Sequence, residues 1–141
     1  MKSINWIGVI AAVVASQLIG TAWYAYLFAA QWMALMGMTA DGAMEGAGNM
    51  SYVYGALQNL VVAVGLAWLV VKTGKSGWMG GAKMGLFACV FFALATYALR
   101  FIYGQDNPGL IPIDGGYMLI QYVVSGALVG GLKLGKAAPA A

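Results

Sequence analysis

Four apolar runs, each about as long as a bilayer is thick, constrain the fold of this chain more than any other feature. A helix needs about 20 residues to cross the ~30 Å hydrocarbon layer, and the runs cover residues 4–28, 52–71, 78–101 and 113–134. Helices are expected because lipid cannot hydrogen-bond to the backbone of an open-ended strand. We predict an all-α fold, a four-helix transmembrane bundle that forms one domain over residues 1–141.

The composition agrees with a lipid environment and excludes several functions. Hydrophobic residues make up 62% of the chain and charged residues 8%, whereas soluble domains contain about 25% charged residues. There is no histidine and a single cysteine, Cys89, so we expect no intrachain disulfide and no metal site. The usual general base is also missing, and we expect neither enzymatic activity nor a cofactor. The net charge of +3 does not indicate nucleic acid, because the lysines form no basic patch.

The charged residues predict the orientation of the helices. Lysines occur at the N-terminus, in or beside the second loop and at the C-terminus, namely Lys2, Lys72, Lys75, Lys83, Lys133 and Lys136. The acids occur in or beside the other two loops, 29–51 and 102–112, namely Asp41, Glu45, Asp106 and Asp114. Cytoplasmic loops accumulate Lys and Arg, so we expect both termini in the cytoplasm and these two loops outside. A cleaved signal peptide is an alternative for the first run, whose apolar stretch is however longer than the hydrophobic region of a signal peptide.

Glycines spaced four residues apart mark one face of the third and the fourth predicted helix, at Gly81, Gly85, Gly126 and Gly130. Residues at this spacing share a face, and without side chains they allow two helix backbones to approach closely. The faces are expected to pack either within the bundle, which we favour, or against another subunit.

Polar side chains inside the apolar runs are costly in lipid and mark either function or hydrogen bonds between helices. Most of them fall at one depth, in the predicted outer half: Gln17, Tyr24, Gln58, Asn59, Arg100 and Gln121. They indicate either a layer of interhelical hydrogen bonds or a small outward-facing polar pocket in which Arg100 contacts an anion. Arg100 also fits a residue at the membrane interface or an ion-pair partner of Asp106 or Asp114.

The segments around the outer loops carry two further signals. Five methionines lie in or beside the first outer loop, Met33, Met36, Met38, Met44 and Met50. Thioethers suit Cu(I), but residues 31–36 are more simply predicted as a short helix at the membrane surface. Asp114 precedes two glycines and is predicted to cap the N-terminus of the last helix.

A weak internal repeat relates the two halves of the chain. Residues 24–28 and 97–101 share a Tyr-Ala-x-x-Phe pattern, and residues 54–58 and 117–121 share Tyr-x-x-x-Gln. The repeat indicates two helical hairpins related by an axis along the membrane normal. Chance matches in an aromatic-rich chain are the alternative.

Two segments carry a family resemblance. The opening reads Asn5…Gly20-Thr-Ala-Trp23-Tyr24…Phe28…Trp32-Met33…Gly37, and a later segment reads Ile113-Asp-Gly-Gly-Tyr117-Met-Leu-Ile…Gly126-Ala-Leu. Both resemble the domain-of-unknown-function 1761 family, and the resemblance covers nearly the whole chain. It implies a small multi-pass protein of the bacterial inner membrane and supplies no reaction. Members often carry a His after the Gly-Tyr pair, where this chain has Met118.

Two functions therefore remain open. The first, which the sequence favours, is an accessory or assembly subunit that acts through helix packing in a larger membrane complex or a homo-oligomer. The second is an oligomeric small-solute transporter or pore lined by the outer-half polar residues. The first is favoured because the polar group lacks the titratable interior residue that coupled transport usually needs.

Overall fold

The computed structural model describes residues 4–39 and 48–132. In these ranges the chain forms five helices and no strand, as the all-α prediction requires. The helices are α1 (Trp6–Leu27), α2 (Ala29–Leu35), α3 (Asn49–Thr73), α4 (Trp78–Ile102) and α5 (Leu110–Gly131). Two stretches have the wider π-helical form, Trp23–Leu27 at the end of α1 and Cys89–Leu94 within α4. Asp41, Glu45, Met44 and the terminal lysines lie outside the described residues.

Three of the helices are long and apolar enough to cross a membrane: Trp6–Leu27, Met50–Thr73 and Trp78–Ile102. This result indicates a membrane protein. The fourth predicted span corresponds to α5, which has 22 residues but is not among the three. Its sequence contains Asp114, Gln121 and several glycines, which make it less apolar than the other long helices.

The structure corrects the start of α5. The helix begins at Leu110, so Asp114 lies inside it and the prediction that Asp114 caps its N-terminus is wrong. The turn before the helix is closed instead by Asn107, whose side-chain oxygen accepts a hydrogen bond from the Gly109 N–H at 2.9 Å. Pro112 is tolerated because the first turn of a helix does not need its backbone donors. The short helix predicted at 31–36 is confirmed as α2.

α1 and α5 run antiparallel and are joined at both ends. At the start of α1, the Asn5 side chain accepts from the Gly8 N–H at 3.1 Å and donates to the Val129 and Leu132 carbonyls at 3.2 Å and 2.5 Å. At the other end, Trp23 Nε1 donates to the Ile113 carbonyl at 3.0 Å. A single segment before α1 therefore satisfies orphan backbone groups of two helices.

The bundle has two chemically different ends. The "lysine end" contains the turn between α3 and α4 with Lys72 and Lys75, where Gly74 and Gly77 adopt positive φ angles of 67° and 90°. The Gly77 N–H donates to the Gly130 carbonyl at 2.8 Å, so the end of α5 lies there too. The "acidic end" contains Asp106 and the start of α5 with Asp114.

α5 is the central helix. It contacts α1, α3 and α4, and its buried residues extend from Leu110 to Gly130. Near the lysine end the interior is apolar, formed by Val9, Ala12, Ala63, Leu66, Ala67, Val70 and Val129. In the three candidate spans, at most 28% of the most apolar window is buried. These helices therefore direct most of their apolar surface outward, as helices in contact with lipid do.

The glycine faces pack against each other within the chain. A Cβ atom added at Gly81 would collide with the Gly126 carbonyl, and one added at Gly85 would collide with the Tyr122 carbonyl. On the facing helix, a Cβ at Gly130 would lie 2.7 Å from the Gly77 carbonyl oxygen. α4 and α5 thus meet backbone to backbone, which is the intramolecular alternative predicted from the spacing.

We predict that Gly81→Ala destabilises the bundle by about 1–3 kcal/mol, because the added methyl group forces α4 away from α5. The matched control is Gly65→Ala, since Gly65 lies in α3 with no atom within 4 Å of the added Cβ. SDS titration monitored by circular dichroism measures both variants. Equal unfolding midpoints for the two variants would contradict the close contact.

Candidate functional site

Three amide side chains from three helices form a chain of hydrogen bonds through the bundle. Gln121 Nε2 donates to Asn59 Oδ1 at 2.5 Å, and Asn59 Nδ2 donates to Gln17 Oε1 at 2.8 Å. Gln17 Nε2 in turn donates to the Tyr52 carbonyl at 3.1 Å. Asn59 and Gln121 are 3% and 2% exposed, so these bonds replace the water that both amides would otherwise need. Three of the predicted site residues are therefore in mutual contact.

A serine pair lies beside this chain, with Ser16 Oγ and Ser125 Oγ 3.1 Å apart. Both serines are buried, and Ser125 lies one turn after Gln121 on α5. The pair connects α1 to α5 by one hydrogen bond, in which either hydroxyl can donate and the other accept. The interior polar layer therefore extends from the amides toward the lysine end.

Asp114 forms a second polar cluster, at the acidic end. Its Oδ1 accepts a hydrogen bond from the Tyr24 hydroxyl at 3.0 Å, and its Oδ2 accepts one from the Tyr97 hydroxyl at 2.7 Å. Both carboxyl oxygens of Asp114 are therefore engaged by hydroxyl groups of other helices. The cluster joins α1, α4 and α5, and the Tyr117 ring packs edge-on against Tyr24 with centroids 5.2 Å apart. A half-buried carboxylate on a helix of a membrane protein is a candidate functional residue.

The π-helical segments lie next to this cluster. Tyr24 belongs to the segment Trp23–Leu27, and Tyr97 follows the segment Cys89–Leu94 by less than one turn. A π turn inserts an extra residue into a helix and redirects the side chains after it, and such turns are frequent at functional sites. α1 and α4 thus both depart from regular α-helix where they approach Asp114.

Sequence analysis did not identify the pairing of Tyr97 with Asp114, although one signal pointed to it. The Tyr-Ala-x-x-Phe repeat at 24–28 and 97–101 contains the two tyrosines that bind opposite oxygens of this carboxylate. The other half of the repeat is not equivalent in its surroundings, because Gln58 is exposed whereas its counterpart Gln121 is buried. Duplication of the helical hairpins therefore stays a prediction.

Two predicted site residues form no hydrogen bond with the polar clusters, although the Arg100 guanidinium lies 5.8 Å from the centroid of the Tyr97 ring. Gln58 is exposed, since neighbouring residues of an α-helix point about 100° apart and Asn59 takes the inward direction. Arg100 forms an ion pair with Asp106 at the acidic end, with Nε and Oδ2 2.6 Å apart, and its side chain is 54% exposed. The expected pairing with Asp106 is thus confirmed, and the contact of Arg100 with an anion stays a prediction.

A cavity of about 320 Å³ lies between α1, α2 and the start of α3, near the acidic end. Its walls are formed by Gln17, Gly20, Thr21, Tyr24, Ala25, Trp32, Met33, Ser51 and Tyr52. Sites for small ligands usually enclose about 300–1,000 Å³, so this one suits a small molecule. Gln17 connects the cavity to the amide chain, and Tyr24 connects it to Asp114.

Metal-binding groups are not assembled in the described parts of the chain. Over residues 4–39 and 48–132, no three His, Cys, Asp or Glu side chains lie close enough to hold an ion. Of the methionines considered for Cu(I), Met33 lines the cavity and Met36 is 41% exposed. Cys89 is buried.

These features together define a small helical membrane protein with a polar interior at one end. The sequence model of the family described as "Protein of unknown function (DUF1761)" matches residues 7–130, and the chain belongs to that family. The resemblance found in the sequence is therefore confirmed. No curated protein and no solved structure matches the chain.

We predict that Asn59→Leu destabilises the protein more than Gln58→Leu does. Asn59 bonds both Gln17 and Gln121, and its loss removes the bonds made by Gln17 Oε1 and Gln121 Nε2, whereas Gln58 is exposed. Hydrogen bonds between membrane helices average ~0.6 kcal/mol each, so the difference should reach about 1 kcal/mol or more. SDS titration of the two variants measures it, and an equal effect at adjacent positions would contradict the amide chain.

Proposed function

We propose that this chain spans a bacterial inner membrane four times, with both termini in the cytoplasm and α5 as the fourth span. At about 1.5 Å per residue, the 22 residues of α5 extend ~33 Å. Its lower hydropathy is compatible with spanning because α1, α3 and α4 shield it from lipid. The separation of Lys72 and Lys75 from Asp106 and Asp114 supports placing the lysine end inside.

We further propose that the protein binds a small solute in the outer-half cavity, as a carrier does. The observation that supports this most is the connection, through Tyr24, between the cavity wall and the half-buried carboxylate of Asp114 on α5. The sequence favoured an accessory role only because no interior titratable side chain was expected there. Asp114 is such a side chain, and intramembrane acids held by tyrosines commonly belong to substrate or ion pathways.

Cysteine labelling tests both proposals in one preparation. In a Cys89→Ala background, Thr21→Cys introduces a thiol into the cavity wall and Lys75→Cys introduces one at the lysine end. In right-side-out vesicles, we expect a membrane-impermeant maleimide to label Thr21→Cys at once and Lys75→Cys only after permeabilisation. A cationic, neutral or anionic small solute that occupies the cavity should slow labelling of Thr21→Cys and leave Lys75→Cys unaffected.

The two labelling measurements test the orientation and the solute site independently of each other. Labelling of Lys75→Cys from outside would contradict the proposed orientation, whatever the cavity does. A Thr21→Cys rate that no solute changes would contradict the solute site, whatever the orientation is.

An accessory or assembly role is the second candidate, and Gln58 favours it. This amide is exposed in the middle of α3, and among residues 4–39 and 48–132 it has no hydrogen-bond partner. An unsatisfied amide in lipid is costly, so a polar group on another subunit or a second copy would stabilise it. The glycine faces cannot serve this purpose because α4 and α5 already use them.

We expect the accessory role to appear as a companion protein, or a second copy, that copurifies in mild detergent. Gln58→Leu should reduce its recovery, and Leu60→Ala, at a 40% exposed apolar position of the same helix, should not. Mass spectrometry and size-exclusion chromatography measure the composition. A monomer without companions at every step would exclude this candidate.

A further inference from the structure

The ligand class of the cavity can be inferred from its walls, on the premise that the cavity is the solute site proposed above. Three aromatic side chains from three helices contribute to it: Tyr24 from α1, Trp32 from α2 and Tyr52 from α3. The Tyr24 and Trp32 rings meet edge to face, with centroids 5.5 Å apart and planes at 67°. Aromatic rings arranged around a small volume attract cations through the negative potential of their faces.

Two polar side chains of the walls already donate hydrogen bonds within the protein. The Tyr24 hydroxyl donates to Asp114, and the Gln17 amide donates to the Tyr52 carbonyl. These donors are thus already engaged. The cavity walls also contain no Lys or Arg side chain, so an anion would enter a low-dielectric space without a compensating positive charge.

The surrounding charge has the sign that a cation needs. Asp114 lies directly behind Tyr24, and no cationic side chain among the described residues forms an ion pair with it. The only nearby guanidinium, Arg100, pairs with Asp106. Two acids and one arginine leave a net charge of −1 among these three residues. Lys72 and Lys75 lie at the opposite end of the bundle.

We propose that this cavity binds a small organic cation of the alkylammonium or quaternary ammonium class. The aromatic side chains contact the cation directly. Asp114 supplies the compensating charge from one residue behind the wall, as a positioning and charge-balancing residue rather than a direct ligand.

Three probes of nearly the same shape separate charge from size. Choline carries a trimethylammonium group, 3,3-dimethylbutan-1-ol replaces its nitrogen with carbon, and 3,3-dimethylbutanoate carries the opposite charge. Isothermal titration calorimetry of the purified full chain in detergent, corrected with protein-free micelles, measures each affinity. We expect choline to bind at least tenfold more tightly than the alcohol, and the carboxylate to bind most weakly.

Two variants locate the binding. Trp32→Leu removes an aromatic wall and should weaken choline binding about tenfold. Asp114→Asn removes the charge while keeping the shape, and should reduce the preference for choline over the alcohol to less than threefold. Tyr103→Leu is the matched control, because Tyr103 is an 82% exposed aromatic residue, and its affinity should equal that of the unchanged chain. If Asp114→Asn does not fold, Trp32→Leu still tests the proposal.

The possible failures are distinguishable. If the alcohol or the carboxylate binds as tightly as choline and Trp32→Leu abolishes that binding, the ligand class is wrong and the solute site stands. Choline binding that Trp32→Leu leaves unchanged overturns the proposal, because the site is then elsewhere. If no probe binds and no solute slows labelling of Thr21→Cys, the solute function fails together with the ligand class.

Discussion

Lipid offers no hydrogen-bond partners, and this constraint explains how the interior of the bundle is built. Each interior amide and hydroxyl must find its partner on another helix, which requires the helices to approach closely. The contact between Gly81 and Gly126 brings α4 and α5 together by placing backbone against backbone. On the other side of α5, Gln121 reaches Asn59 on α3. α5 can carry so many polar and small residues because the other long helices surround it.

The interior of the bundle is apolar near the lysine end and polar toward the acidic end. Near the lysine end the interior consists of small and aliphatic side chains such as Val9, Ala63 and Val129, which leave no polar group to satisfy. From the middle of the bundle to the acidic end, amides, hydroxyls and a carboxylate replace them. A carboxylate held by two tyrosines stabilises the helix packing, but it also has a desolvation cost that an aliphatic residue would avoid. The desolvation cost of the carboxylate arises near the acidic end, whereas the interior near the lysine end is apolar and well packed. This is the pattern expected of a functional site that a stable apolar region supports.

The sequence predicted the helical class and approximate positions of the long helices, because run length and charge are local properties. It also predicted the internal use of Gly81 and Gly126, since a four-residue spacing fixes a helix face. It could not choose between Gln58 and Asn59, because neighbouring polar residues differ only in the direction that the tertiary packing selects. The hydrogen bond between Tyr97 and Asp114 could not be predicted either, since π turns change the helix register and have no clear signature in the amino-acid composition. Because α5 begins at Leu110, Asp114 lies within the helix and does not cap it as predicted.

The distribution of the two acids at one end decides the electrostatic character of the cavity. Arg100 could neutralise only one of them, and the loop after α4 brings Asp106 within 2.6 Å of its guanidinium. Asp114 is left with hydroxyl donors, which stabilise a negative charge without cancelling it. Asp114 therefore lies beside the aromatic walls without an ion-pair partner among the described residues, in a region where a low dielectric strengthens electrostatic interactions. A neutral solute would gain nothing from the field of this carboxylate and an anion would be repelled by it, so the arrangement favours positive ligands before any direct contact is made.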